Sequence, residues 1–187
     1  MPPKVKITRE DIICAAVDIV RCSGAQAINA RTIAAQLHCS TQPIFSNFAT
    51  MEELRLAVVE RADGLCREYM RREVESGRFP AYKANGMAYI LFAKEEKELF
   101  KLLYMRDRTE EAEPEGVSIN DEMEEIVYNN TGLDGAGAKL FHLEMWAFVH
   151  GIAAMFATSF VDLEWELVSK MLTDAYQGLR KQYGMEE

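Results

Sequence analysis

The stretch 28–54, INARTIAAQLHCSTQPIFSNFATMEEL, restricts the possible folds of this chain more than any other. Asn29 is a favourable N-cap, and Ile33, Ala34 and Leu37 follow it on one face at helical spacing. His38-Cys39 breaks that pattern, and Ser40 stands as the expected cap of a second segment with Ile44, Phe45 and Phe48 facing inward. Thr50 followed by Glu53 is the pattern of a capping box and opens a third helix. Helices of about two turns are not stable alone, because nucleation outweighs the few hydrogen bonds gained. Ile33, Leu37, Ile44, Phe45 and Phe48 must therefore clamp the two at a fixed angle, leaving Thr41, Gln42, Ser46 and Asn47 outward. That construction is a helix-turn-helix.

The residues before it extend the reading. Thr8 and Asp11 make a capping pattern, with Ile7 and Ile12 placed as a hydrophobic staple. Ile12, Ala15, Ala16, Ile19 and Val20 form an apolar helical stripe, and Ser23-Gly24 ends it. The capped helix, Gly24, Ile28, Ile33-Ala34, Ser40, Ile44-Phe45, Phe48 and Glu53-Leu54 together resemble the N-terminal domain of the TetR/AcrR family of bacterial transcriptional regulators. The resemblance runs from about Ile7 to Arg61 and rests on the combined pattern. It implies a homodimeric regulator, most often a repressor, binding a near-palindromic double-stranded DNA operator and answering to a small-molecule effector.

Three positions depart from the family pattern. His38 stands where the turn usually opens with glycine, Phe45 where tyrosine is usual, and Met51 where lysine is usual. The last two remove customary contacts to the DNA backbone. A second reading therefore stays open: a protein-binding adaptor of the same fold that has lost DNA binding. On the regulator reading, Thr41, Gln42, Ser46 and Asn47 face the major groove, with Ser40 and Pro43 beside them and Gln42 the best base reader. Arg31 and Thr32, at the start of the preceding helix, are expected at the phosphate backbone, and Lys4, Lys6 and Arg9 are expected as an arm.

Charge is distributed in a way that suits contact through one end. Residues 1–61 carry seven Lys/Arg against six Asp/Glu, whereas the remainder carries fourteen against twenty-four, within a total of −9. The beginning of the chain has no apolar signal-peptide region. The longest apolar run, 145–157, contains His150 and Gly151 and falls short of the ~20 residues of a membrane span. Cys14, Cys22, Cys39 and Cys66 lack metal-site spacing and read as reduced thiols, which points to the cytoplasm and away from a membrane.

The rest of the chain reads as helices over 52–76, 82–94, 97–106, 119–130, 138–160 and 164–183, with a charged loop at 109–118. The expectation is an all-α protein with a three-helix DNA-binding domain over 1–51 and a helical effector-binding and dimerisation domain over 52–187. The 138–160 segment is apolar on almost every side, and Ala147, Gly151, Ala154 and Ala157 would admit close approach of another helix. With 164–183 it is expected to form a four-helix interface with a second copy. Tyr89, Phe92, Phe100, Tyr104, Met105, Met123, Tyr128, Trp146 and His150 are candidates for lining the effector cavity, since aromatics and methionines adapt to apolar ligands. A single continuous helix from Glu52 is expected to join this region to the head. No glycine-rich phosphate loop, nucleophile elbow or Glu-x-x-His helical pair occurs, so neither an enzyme nor a metal or other cofactor is expected.

Overall fold

The computed structural model describes residues 7–106 and 121–185, and the described residues are helical with no strand. The helices are α1 (Arg9–Ser23), α2 (Ala30–Gln36), α3 (Gln42–Asn47), α4 (Met51–Glu75), α5 (Ala81–Glu95), α6 (Lys97–Tyr104), α7 (Asp121–Thr131), α8 (Gly135–Ala157) and α9 (Trp165–Gln182). The chain forms two compact units. One comprises Met1–Leu65 with Glu96–Arg106, the other Cys66–Glu95 with Asp107–Glu187. The expected loop at 109–118 and the Lys4 and Lys6 arm lie outside the described residues.

In the first unit the sequence signals act largely as expected. The backbone N–H of Asp11 donates to Thr8 Oγ1 at 3.1 Å, and the Thr8 N–H donates to Asp11 Oδ2 at 2.8 Å, which closes the capping box of α1. Ile12, Ala15, Ala16, Ile19 and Val20 are buried, and Val17 joins them. Asn29 caps α2 by accepting from the N–H groups of Arg31 and Thr32, both at 3.0 Å. Ile33, Ile44, Phe48, Leu54 and Val58 close the core around α1, and α6 packs on α1 with Leu99 and Phe100 buried. Arg21 anchors that packing through a two-pronged bond to Glu96, Nε to Oε2 at 2.9 Å and Nη2 to Oε1 at 2.8 Å.

Three local expectations change. Ser40 does not cap α3: the helix starts one residue later, Thr41 holds the N-cap position without a side-chain cap, and Pro43 lies in the first turn. Phe45 is 55% exposed. Ile44 takes the inward face of this short helix and Phe48, the C-cap residue after it, fills the adjoining space, which leaves Phe45 turned to the side. The third change concerns Glu53. The Glu53 N–H donates to Thr50 Oγ1 at 3.0 Å, but the Glu53 carboxylate accepts from Ala49 N–H at 2.7 Å, one residue before the reciprocal capping-box donor.

In the second unit α5 packs on α8 and α9, and α7 on α5 and α8. A side chain at Gly86 would meet Leu172 at 3.1 Å and Val149 at 3.5 Å, so α5 approaches its neighbours closely there. Phe141 is fully buried, and the rings of Tyr176 and Tyr183 stand edge-on to it at 5.8 and 5.5 Å. α8 is long and apolar enough to cross a membrane by length and composition alone, but its Phe141, Met145, Val149, Ile152 and Phe156 are buried in this fold.

Candidate nucleic-acid interface and buried polar pairs

The outward face of α3 is the candidate contact surface. Gln42 is exposed, and its side-chain amide has no hydrogen-bond partner among the described residues. Ser46 is exposed, and its hydroxyl donates to Gln42 C=O at 2.9 Å. Asn47 is half-buried, with Nδ2 donating to Pro43 C=O at 2.8 Å. Thr41 and Pro43 are half-buried beside Gln42, and Ser40 is exposed in the turn. His38 opens that turn with a φ of 49°, in the left-handed region, which explains why glycine suits this position.

On α2, Arg31 is exposed, whereas Thr32 is tied into the cap: its hydroxyl lies 2.8 Å from Ala27 C=O and 2.9 Å from Asn29 C=O. A hydroxyl has one proton, so Thr32 donates to an outside phosphate only by giving up its bonds to the Ala27 and Asn29 carbonyls. Arg9, expected as part of an arm, is engaged instead. Its Nη1 donates to Asn47 C=O at 2.9 Å and Glu53 Oε1 at 2.8 Å, and its guanidinium sits 4.0 Å over the Phe48 ring. Arg9 therefore holds the end of α3 against α1 and α4. The Ala49 N–H first, then Arg9, keeps the Glu53 carboxyl below its ordinary range.

The candidate effector residues divide between the two units. Phe100, Tyr104 and Met105 belong to the first, where the Phe100 and Tyr104 rings stand 5.0 Å apart and Met105 is exposed. In the second unit, Tyr89, Trp146 and His150 come together. The Tyr89 hydroxyl lies 2.9 Å from His150 Nδ1, and the Trp146 ring stacks on His150 at 4.8 Å and 20°. Phe92 is fully buried and meets Tyr69 edge-on at 5.4 Å, and Met123 is half-buried. Tyr128 is 54% exposed, which takes it out of the buried cluster; Val127 holds the inward position on α7.

Sequence reasoning missed a second pair of the same chemistry. The Tyr82 hydroxyl lies 3.2 Å from His142 Nδ1, again between α5 and α8. Tyrosines at 82 and 89 and histidines at 142 and 150 recur at near-heptad spacing on the two helices, and that spacing was the available signal. Burial holds both histidines below their ordinary pKa and pushes both tyrosines up, so the pairs are neutral.

Residues 82–173 match the family model described as tetracyclin repressor-like, C-terminal domain. No curated protein sequence matches the chain. Among solved structures, a TetR-like transcriptional regulator from Rhodococcus sp. RHA1 superposes with a TM-score of 0.68 at 17% identity, covering 96% of this chain and 98% of that one. A member of the TetR family from Streptomyces coelicolor A3 superposes with a TM-score of 0.64 at 16% identity, covering 89% and 96% respectively.

Proposed function

We propose that this chain is a regulator of the TetR family, a sequence-specific DNA-binding protein working as a homodimer and as a ligand-responsive repressor; the match of residues 82–173 and the shared fold support that premise. The observation that carries this reading is the outward face of α3, where Gln42 has an amide with no partner among the described residues. Gln42 reads a base edge, Thr41, Ser46 and Asn47 line the groove beside it, and Arg31 meets phosphate. Ser40 and Pro43 set the entry of the helix into the groove. Nothing in the family or in the site calls for catalysis, and the cytoplasm is the compartment such a protein serves.

Exposed apolar residues support the dimer. Leu140, Leu143, Phe148 and Met155 of α8 and Leu167 of α9 remain exposed in the single chain, along a face that also carries Ala147 and Gly151. A second copy would cover such a face by symmetry. One recognition helix reads only a few base pairs, so two half-sites on one duplex are needed for tight binding. For the effector we propose a neutral or cationic apolar molecule held beside Tyr89, Phe92, Met123, Trp146 and His150. Its influence on DNA affinity would correspond to a coupling of about 1–3 kcal/mol.

Selection from a randomised duplex pool, followed by binding measurements with the enriched DNA, tests the proposal. Gln42→Ala should cost about 1–3 kcal/mol and relax one position of the site, whereas Arg31→Ala should weaken all sequences alike and lower the salt slope. Met155→Glu should shift sedimentation from dimer to monomer. A protein that enriches no sequence would favour the adaptor reading instead.

A further inference from the structure

The composition of α3 limits which bases it can read. Its residues are Gln42, Pro43, Ile44, Phe45, Ser46 and Asn47, with no cation and no carboxylate among them. Recognition of guanine in the major groove relies mainly on Arg or Lys at O6 and N7, and a carboxylate accepts from cytosine N4. Neither group is present on this helix. Asn47 is half-buried with its amide turned back to Pro43, and the Ser46 proton is committed to Gln42 C=O. The groups left open are the acceptor oxygens of Ser46 and Asn47, the Gln42 amide, which alone offers the donor-acceptor pair matched to adenine N6 and N7, and the Phe45 ring.

An exposed phenylalanine means little by itself, since single exposed apolar residues are common. The location of Phe45 gives it meaning. It lies three residues from Gln42, at the edge of the face proposed to enter the groove, and Ile44 and Phe48 have already filled the inward side. The apolar surface that a major groove presents is the thymine C5-methyl. We propose that α3 reads an A·T core in each half-site, Gln42 bonding the adenine edge and Phe45 packing on a thymine methyl in the same step or the next one. This deepens the regulator reading and rests on it.

Deoxyuridine is the probe, because it removes that methyl and leaves the pairing unchanged. The duplex enriched by the protein from a randomised pool should carry A·T pairs at the centre of each half-site. Thymines in this duplex are then replaced one at a time by deoxyuridine, and affinity is measured at one fixed salt concentration. One replacement per half-site should weaken wild-type binding by about fourfold, the effect of one buried methyl. Phe45→Ala should bind the thymine and deoxyuridine duplexes equally, while Phe45→Tyr, which keeps the ring, should keep the difference. Phe45 is exposed, so an unchanged unfolding midpoint is expected for both variants. Enriched DNA with G·C at the core, or a Phe45→Ala protein that still distinguishes the two duplexes, would overturn the inference and leave the regulator reading intact. Failure to enrich any sequence would remove both.

Discussion

The two units use opposite means to hold an open helix face. In the first, α3 is too short to support itself, so caps, turns and one guanidinium fix it: Asn29 on α2, Thr50 on α4, and Arg9 spanning Asn47, Glu53 and the Phe48 ring. The face left open is mostly polar. In the second, α8 is long and held by rings and close packing, with Phe141 among tyrosines and Gly86 against Leu172. There the open face is apolar. The contrast follows from what each face is proposed to meet. Base edges need directed hydrogen-bonding groups held rigidly, whereas a second copy of an apolar surface needs only area and shape.

The largest effect should come from the body. Phe141→Ala removes the ring at the centre of the aromatic group, and a loss of about 3–5 kcal/mol is expected in urea unfolding. A loss below about 1 kcal/mol would mean that the tyrosines collapse into the space, and the body would then not depend on ring packing. The matching test for the head is Asn29→Ala. It leaves the Arg31 and Thr32 N–H groups without their acceptor, for an expected cost of about 1 kcal/mol. Asn29→Asp keeps the acceptor and should recover most of that stability. If Asn29→Ala costs as much as Phe141→Ala, the division between cap-held and ring-held units fails.

A smaller effect of opposite sign is expected in the turn. His38 has a φ of 49°, so His38→Gly relieves a left-handed strain of about 1–2 kcal/mol while adding backbone freedom to the unfolded chain, for a net gain below about 1 kcal/mol. A rise in Tm checks it. The smallest signal is a slope in the body. Burial depresses the pKa of His142 and His150, so as pH falls through 6.5 the unfolded chain takes up protons before the folded one does. Stability is therefore unaffected well above 6.5 and declines below it. A His142→Gln/His150→Gln double variant should decline less over the same interval, and an identical slope would show that the two pairs do not titrate as their burial requires.

Much of the head was legible because its determinants are local. A cap acts on residues two or three positions away, so Thr8, Asn29 and Thr50 were readable from spacing alone. The open face of α3 followed from the same spacing, and the family resemblance added the expectation of a ligand-responsive regulator. The errors fell where a local rule competed with packing. Phe45 had an apolar side chain and a helical position near the inward face, but the six-residue helix buries only Ile44, and Phe48 just beyond its end fills the rest of the inward space. Ser40 had the right chemistry for a cap but stood one residue too early. The candidate effector residues were legible as a class and not as a group. Phe100, Tyr104 and Met105 fell in one unit and Tyr89, Trp146 and His150 in the other, because α6 packs on α1.

Periodicity, caps and punctuation in the sequence were enough to determine that this chain is all helical, where most helices begin and end to within a residue or two (α8, Gly135–Ala157 where 138–160 was expected, is the exception), and that 28–54 holds two short helices and the start of a third. Those properties depend on interactions within about one turn, which spacing along the chain encodes directly. Only the tertiary structure decided that Arg9 is a brace, that Phe45 turns outward, and that Tyr82 and Tyr89 meet His142 and His150 across two helices. Each of these joins residues distant in sequence or depends on which neighbour occupies the inward space first. Such outcomes are set by packing, which a one-dimensional pattern does not record.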